Sequence, residues 1–297
     1  MRSNIATWLR LGSFLALLLV MSAHSAPTPP STELQLRRMN STPKWVNPCG
    51  MATDDVESGL DSDTIPDAQL LSLIVLQAKT ALDHAKLFCN GFVKHIFNID
   101  MKEVHTMWKN SHYSWLPDQK SIPKQLGEHL SKDYLEHLEP KKLDTILLDI
   151  YQYLQLYAVG LEQIVWDQDD YRLGAGKNFS DAEFKLRTRG EFFWFSTYFN
   201  SEYFNVTKAE EWNARMVKNC YRTWYAVLQV LCEVQVALME RGVQPRVDVT
   251  RAAMSNEYRL LGTSTTYRNV RDWLIFRDYM NGLEFVIEVF DYLRGKV

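Results

Sequence analysis

Histidine, cysteine and arginine are the residue types in this chain that could carry chemistry. His129, Asp133 and His137 fall at i, i+4 and i+8. On a helix they would share a face and could approach a metal ion, but two imidazoles and one carboxylate are a ligand short of a closed site. A solvated polar face without metal is the preferred reading. His84, His95, His105 and His112 have no partner pattern. HExxH, GxSxG, Walker and Rossmann glycine motifs are all missing from the sequence. Gly174-Ala175-Gly176 lacks the strand that must precede a phosphate loop. No catalytic residue and no cofactor are therefore expected. A secreted hydrolase would need titratable groups brought together only by the fold.

Arginine is concentrated in one stretch. Arg241, Arg246, Arg251, Arg259, Arg268, Arg271 and Arg277 face only Asp248, Glu257 and Asp272 between residues 241 and 277. From Trp45 to Ala78 the bias reverses, with Asp54, Asp55, Glu57, Asp61, Asp63 and Asp67 and no base. Guanidinium groups suit bidentate carboxylate contacts. One reading makes Arg246, Arg251, Arg259, Arg268 and Arg271 a partner-binding patch. The other pairs the basic stretch with the acidic one inside the molecule, and it is preferred. A second candidate contact surface is the aromatic run from Phe192 to Phe204, including Trp194 and Phe195. Large aromatics supply binding hot spots but are more often core.

The cysteines depend on compartment. Residues 1–25 have the pattern of a secretory signal peptide: Arg2 and Arg10, a short apolar run from Leu11 to Met21, and Ala23-His24-Ser25 before the cut. The run falls short of the roughly 20 residues of a spanning helix. Three sequons accord with secretion, at Asn40, Asn178 and Asn205. A secreted, extracellular glycoprotein with disulfides follows as the expectation. Residues 26–63 read as an irregular, mobile lead-in with Pro27, Pro29, Pro30, Pro43 and Pro48. Arg37-Arg38 within it is either a processing site or two solvated arginines, the latter preferred.

Residues 64–297 read as one all-α domain. Helical periodicity runs from about Asp67 to Phe97, Pro140 to Trp166, Lys208 to Arg241 and Tyr267 to Arg294. Pro66 marks the first start, and Gly242 the third end. Shorter helices are expected at 124–138 and from the capping box Ser180-Asp181-Ala182-Glu183 into residues 192–199. The total is up to six helices, four of them long and amphipathic, forming a bundle with long crossover connections. The 297 residues, 46% hydrophobic and 23% charged, are ample for such a core. A net charge of -3 gives no argument for nucleic acid, and no further segment suggests stable membrane insertion.

The four cysteines constrain the topology. Cys220 and Cys232 are separated by about 18 Å along one helix, whereas a disulfide needs Cα atoms within about 7 Å. Pairing 220–232 is excluded, and 49–89 with it. Two disulfides are expected, as Cys49–Cys232 with Cys89–Cys220 if the first and third long helices are antiparallel, or as Cys89–Cys232 with Cys49–Cys220 if they are parallel. The antiparallel solution is preferred.

Signal segment, sequons, four long helices and long connections together resemble the architecture of long-chain helical cytokines, over roughly residues 64–294. The resemblance implies an extracellular signalling or protein-binding ligand with a cell-surface or extracellular protein partner. The rival readings are a secreted carrier with a small apolar ligand among its aromatics, and a secreted hydrolase.

Overall fold

The computed structural model describes residues 32–51, 65–138, 142–174, 208–260 and 265–297. Among these the regular structure is entirely helical. The helices are α1 (Thr32–Asn40), α2 (Asp67–Ile96), α3 (Met101–Met107), α4 (Lys132–Glu136), α5 (Leu143–Gly174), α6 (Lys208–Glu240), α7 (Asn256–Arg259) and α8 (Thr265–Arg294). A 3-10 turn spans Arg251–Ala253. The all-α class is as expected, but the described residues hold eight α-helices rather than up to six. Residues 1–36 with 166–207 form one compact unit, and residues 37–165 with 208–297 another. The described parts of the first are the opening of α1 and the last turns of α5. The account below concerns the second.

The four long helices follow the apolar rhythm of the sequence. Leu71, Ile74, Ala78, Ala81, Ala85, Phe88 and Phe92 are the buried face of α2. Leu143, Leu147, Ile150, Leu154, Tyr157, Leu161 and Ile164 are buried on α5. Local chemistry sets the ends. Pro66 precedes α2 with extended backbone and supplies no side-chain cap. α6 closes on Gly242 at φ 65°, where the Val243 N–H reaches back to the Leu238 carbonyl at 2.8 Å. That is the left-handed stop glycine favours.

The directions of the long helices follow from their contacts. Ile65 N–H donates to Glu240 at 3.5 Å and Gln77 to Gln229 at 2.8 Å, so α2 and α6 are antiparallel. Lys79 meets Asp291, Lys86 meets Glu284, and the Phe88 ring lies tilted against Phe276, so α2 and α8 are antiparallel. Tyr157 lies beside Tyr279 and Gly160 beside Ile275, so α5 and α8 are antiparallel. Arg241 at the end of α6 bonds both Asp67 and Asp144, at the starts of α2 and α5. Helices α2 and α5 run one way and α6 and α8 the other.

The disulfide expectation needs correction. Cys49 and Cys232 are joined, with Cα atoms 4.8 Å apart. Cys89 and Cys220 are buried thiols not joined to each other, so one disulfide is present and not two. The antiparallel register sets Cys220 level with Lys86, three residues and about 4.5 Å along the axis from Cys89.

Two further elements depart from the sequence reading. The 124–138 helix shrinks to Lys132–Glu136. Gly127 at φ 80° breaks the segment before it, and the N–H groups of Gly127 and Leu130 bond Glu284 and Glu288, both at 2.8 Å, instead of helical carbonyls. Within the lead-in, Thr32–Asn40 is helical rather than irregular. No proline falls between Pro30 and Pro43. Glu33 in the first turn and Arg37 and Arg38 in the last suit the helix dipole.

Candidate functional surface

The apolar run of α5 contains Gln155, Glu162 and Gln163, all buried. A helix covered on most sides must satisfy such groups inside the protein. Gln155 does so by gripping two chain segments. Its amide nitrogen donates to Asp248 at 2.6 Å and to the Trp45 carbonyl at 3.3 Å, and its oxygen accepts from Val249 N–H at 3.0 Å. Trp45 is fully buried, and its indole N–H donates to the Val249 carbonyl at 2.7 Å. The lead-in and the connection after α6 are thereby fixed side by side.

Glu162 holds the next part of that connection. Arg251 donates to both of its oxygens, at 2.6 and 2.9 Å, and also to the carbonyls of Met39 and Ser41. Its guanidinium lies 5.5 Å from the Trp45 ring. Burial pushes the Glu162 carboxyl up, against the downward pull of the Arg251 hydrogen bonds and charge. Arg259 donates to Gln163 at 2.7 Å, to the Met254 carbonyl at 3.0 Å and to the Arg251 carbonyl at 2.5 Å. Bidentate, desolvated pairing of this kind fixes geometry.

The arginine patch is thus corrected at most positions. Arg251, Arg259 and Arg271 are buried framework residues, not a partner-facing surface. Arg271 is spent on Asp272 and the Tyr258 carbonyl. Arg277 bonds Asp278 and the carbonyls of Trp108 and Ser111. These arginines are paired within the protein. The partners come mainly from α5 and α8, and only Asp67 belongs to the acidic stretch, the rest of which lies outside the described residues. Arg268 is half-buried in the first turns of α8. Arg246 alone among the candidates is exposed, paired with Asp149 at 2.7 Å and bonded to Gln152 at 3.2 Å.

Beside Arg246 stands Val247, 91% exposed. Its neighbours Asp248 and Val249 are both held by Gln155, so the valine is presented on an anchored loop. An apolar side chain fixed in water by a buried polar knot is suited to contact another protein, because little ordering remains to be done on binding. Asn40, another predicted site, is exposed at the end of α1. Asn178, Asn205, Trp194 and Phe195 lie outside the described residues.

Nothing in this knot offers a reactive group. The carboxylate and guanidinium groups are mutually bonded, and no nucleophile stands beside a base. Among the described residues no cluster of three or more His, Cys, Asp or Glu could hold a metal. His129 is 93% exposed and its ring faces Glu288 at 3.6 Å, while the His137 ring contacts the Asp133 carbonyl. The five-residue α4 is too short to align the three. A pocket of about 190 Å³ opens beside Tyr134, Tyr153 and Phe285, rimmed by Lys120 and Asp149. That is below the roughly 300–1,000 Å³ of usual small-molecule sites. No helix among the described residues is long and apolar enough to cross a membrane.

Sequence reasoning alone does not single out Glu162 and Gln155, both buried. Their signal was present as polar residues embedded in the run Tyr151–Val165, where a helix apolar all round implies burial on every side. No protein-family model, curated protein or solved structure matches the chain.

Proposed function

We propose that this chain is a secreted, glycosylated helical-bundle ligand of the cytokine-like kind, binding an extracellular or cell-surface protein. The observation that carries the reading is the run of helix directions. α2 and α5 are parallel to each other and antiparallel to α6 and α8, the up-up-down-down order that needs long crossovers and is found in growth-hormone and cytokine bundles. The Cys49–Cys232 disulfide accords with an oxidising compartment. The signal-like residues 1–25 and the sequons at Asn40, Asn178 and Asn205 supply the route. The anchored loop with Arg246 and Val247 is the contact surface assigned here.

Expression with its own N-terminus in secretory cells tests the route, and binding tests the role. The medium should contain protein whose mass falls on removal of N-glycans. The purified oxidised protein should bind responsive cells saturably. Val247→Asp should weaken that binding about tenfold, as expected of a contact worth about 1.4 kcal/mol, with no change in unfolding midpoint. Binding that never saturates, or that V247D leaves intact, would count against the ligand role or its placement respectively.

A further inference from the structure

We propose that the cavity between α5, α8 and the chain leading into α4 is a socket for one aromatic side chain of the protein partner. The proposal rests on the ligand reading above and names what the partner brings. Among the lining residues Ile150, Phe285 and Val289 are buried, whereas Ile146, Tyr134 and Tyr153 are only partly so. The cavity therefore runs from the core to the surface. Its volume of about 190 Å³ suits one ring rather than a whole ligand, since an apolar cavity of about 150 Å³ accepts benzene. The lining already holds two rings, Tyr134 and Phe285, with centroids 6.3 Å apart and planes tilted at 52°. A third ring beside them gains edge and offset contacts that an aliphatic chain does not. Aromatic residues also lead among interface hot spots, where leucine is under-represented.

The cavity is kept open because the chain beside it is tied to α8. The Lys124 ammonium and the Gly127 N–H both donate to Glu284 at 2.8 Å, and the Leu130 N–H donates to Glu288 at 2.8 Å. These bonds fix the chain before it reaches Tyr134. The α4 helix that follows has five residues, none of them buried, and cannot lay an apolar face across the gap. An opening formed in advance leaves little to order on binding. The cavity is also continuous with the contact loop. Asp149, in the lining, bonds Arg246 at 2.7 Å, and Gln152, next to Tyr153 on α5, bonds it at 3.2 Å. Val247 follows Arg246 directly. Socket and exposed valine are thus joined through one ion pair, and a single partner surface with a projecting ring engages both.

Two experiments judge the cavity and its occupant separately. In the first, N-acetylphenylalaninamide is titrated into the purified, oxidised protein and followed by saturation-transfer NMR. Its ring should be the group in contact, and N-acetylleucinamide should bind about threefold more weakly or worse. Ile146→Trp, which fills the cavity from its partly exposed wall, should abolish binding. No binding of the phenylalanine probe to wild type, or equal binding to I146W, would overturn the proposal. In the second, binding to responsive cells is compared for wild type, I146W and Ile146→Ala, which widens the same wall. I146W should lose at least about tenfold, as for a hot-spot contact, whereas I146A should stay within about threefold. The phenylalanine probe should also compete with the cells for wild type, a readout that decides the matter even where I146W fails to fold. Probe binding without competition, or with cell binding intact in I146W, would mean that the cavity takes a free aromatic molecule; that overturns this occupant and leaves the ligand reading standing. Wild type that admits the probe but never binds cells saturably would overturn the ligand reading, and the partner's side chain with it.

Discussion

At the residue scale the most constrained positions are two glycines at the α5–α8 contact. A Cβ built on Gly282 would lie 2.5 Å from the Tyr157 ring, and one on Gly160 would lie 2.9 Å from both Ile275 and Trp115. Both glycines are helical, where glycine ordinarily costs about 1 kcal/mol relative to alanine. Close approach outweighs propensity here. Gly282→Ala is therefore expected to destabilise by about 1–3 kcal/mol through overpacking, read as a lower urea midpoint, whereas on an open helix face the change would stabilise. Glu162→Ala acts by a different route. It takes the bidentate carboxylate away from the buried Arg251 guanidinium, and breaking a buried pair costs about 3–5 kcal/mol. Chemical denaturation of E162A measures it, and an unchanged midpoint would refute the anchoring role given to Glu162. These positions explain what could be read of the site beforehand. Arginine density and type were visible in composition. Their burial was not, because the partners Glu162, Gln163 and the backbone carbonyls lie in other elements, at separations of 89 and 96 residues for the two side chains.

At the element scale α8 organises its surroundings. Seven consecutive residues, Arg271 to Arg277, are buried, so the helix has no free face at that level. Its polar residues Arg277, Asn281, Glu284 and Glu288 recur at four- and three-residue steps, and each grips the segment between α3 and α4. Asn281 donates to the Lys124 carbonyl, and Glu284 receives the Lys124 ammonium at 2.8 Å. Burial alone would raise the Glu284 carboxyl, but the hydrogen bonds from Lys124, Gly127 and Lys86 and the Lys124 charge outweigh it and hold it below its ordinary value. A carboxyl that titrates lower folded than unfolded contributes stability that is complete above the unfolded value of about 4.3. That stability is lost as pH falls through the folded value. Urea midpoints between about pH 5 and 3 should fall less steeply for Glu284→Gln than for wild type. Glu162, raised by burial, works in the opposite sense, its ionisation opposing folding as pH rises. The long helices were legible because an apolar stripe at helical spacing needs no knowledge of its neighbour. The 98–138 crossover was not, since its backbone groups are satisfied by side chains on α8, some 157 residues away for Gly127 and Glu284.

At the scale of the whole molecule, one covalent clip and one antiparallel register set the cysteine chemistry. Cys49 and Cys232 are 183 residues apart in sequence. Closing so long a loop in the unfolded chain is worth about 5 kcal/mol in the chain-entropy model. The double variant Cys49→Ser/Cys232→Ser should lose stability of that order and fray first where the lead-in lies on the end of α6, because Trp45 and Arg251 depend on the same chain path. The register argument makes a second, independent demand. Cys89 and Cys220 are buried on facing helices but out of step, and burial pushes the Cys89 thiol far above its ordinary range, leaving little of the reactive thiolate. Native protein should therefore resist alkylation at both positions. Unfolded without reductant, it should take up two labels, at Cys89 and Cys220, and after reduction four. Mass spectrometry of the labelled peptides distinguishes the outcomes: no label without reductant would mean that both pairs are bridged and that α2 and α6 are shifted by nearly a turn from the register set by Gln77 and Gln229.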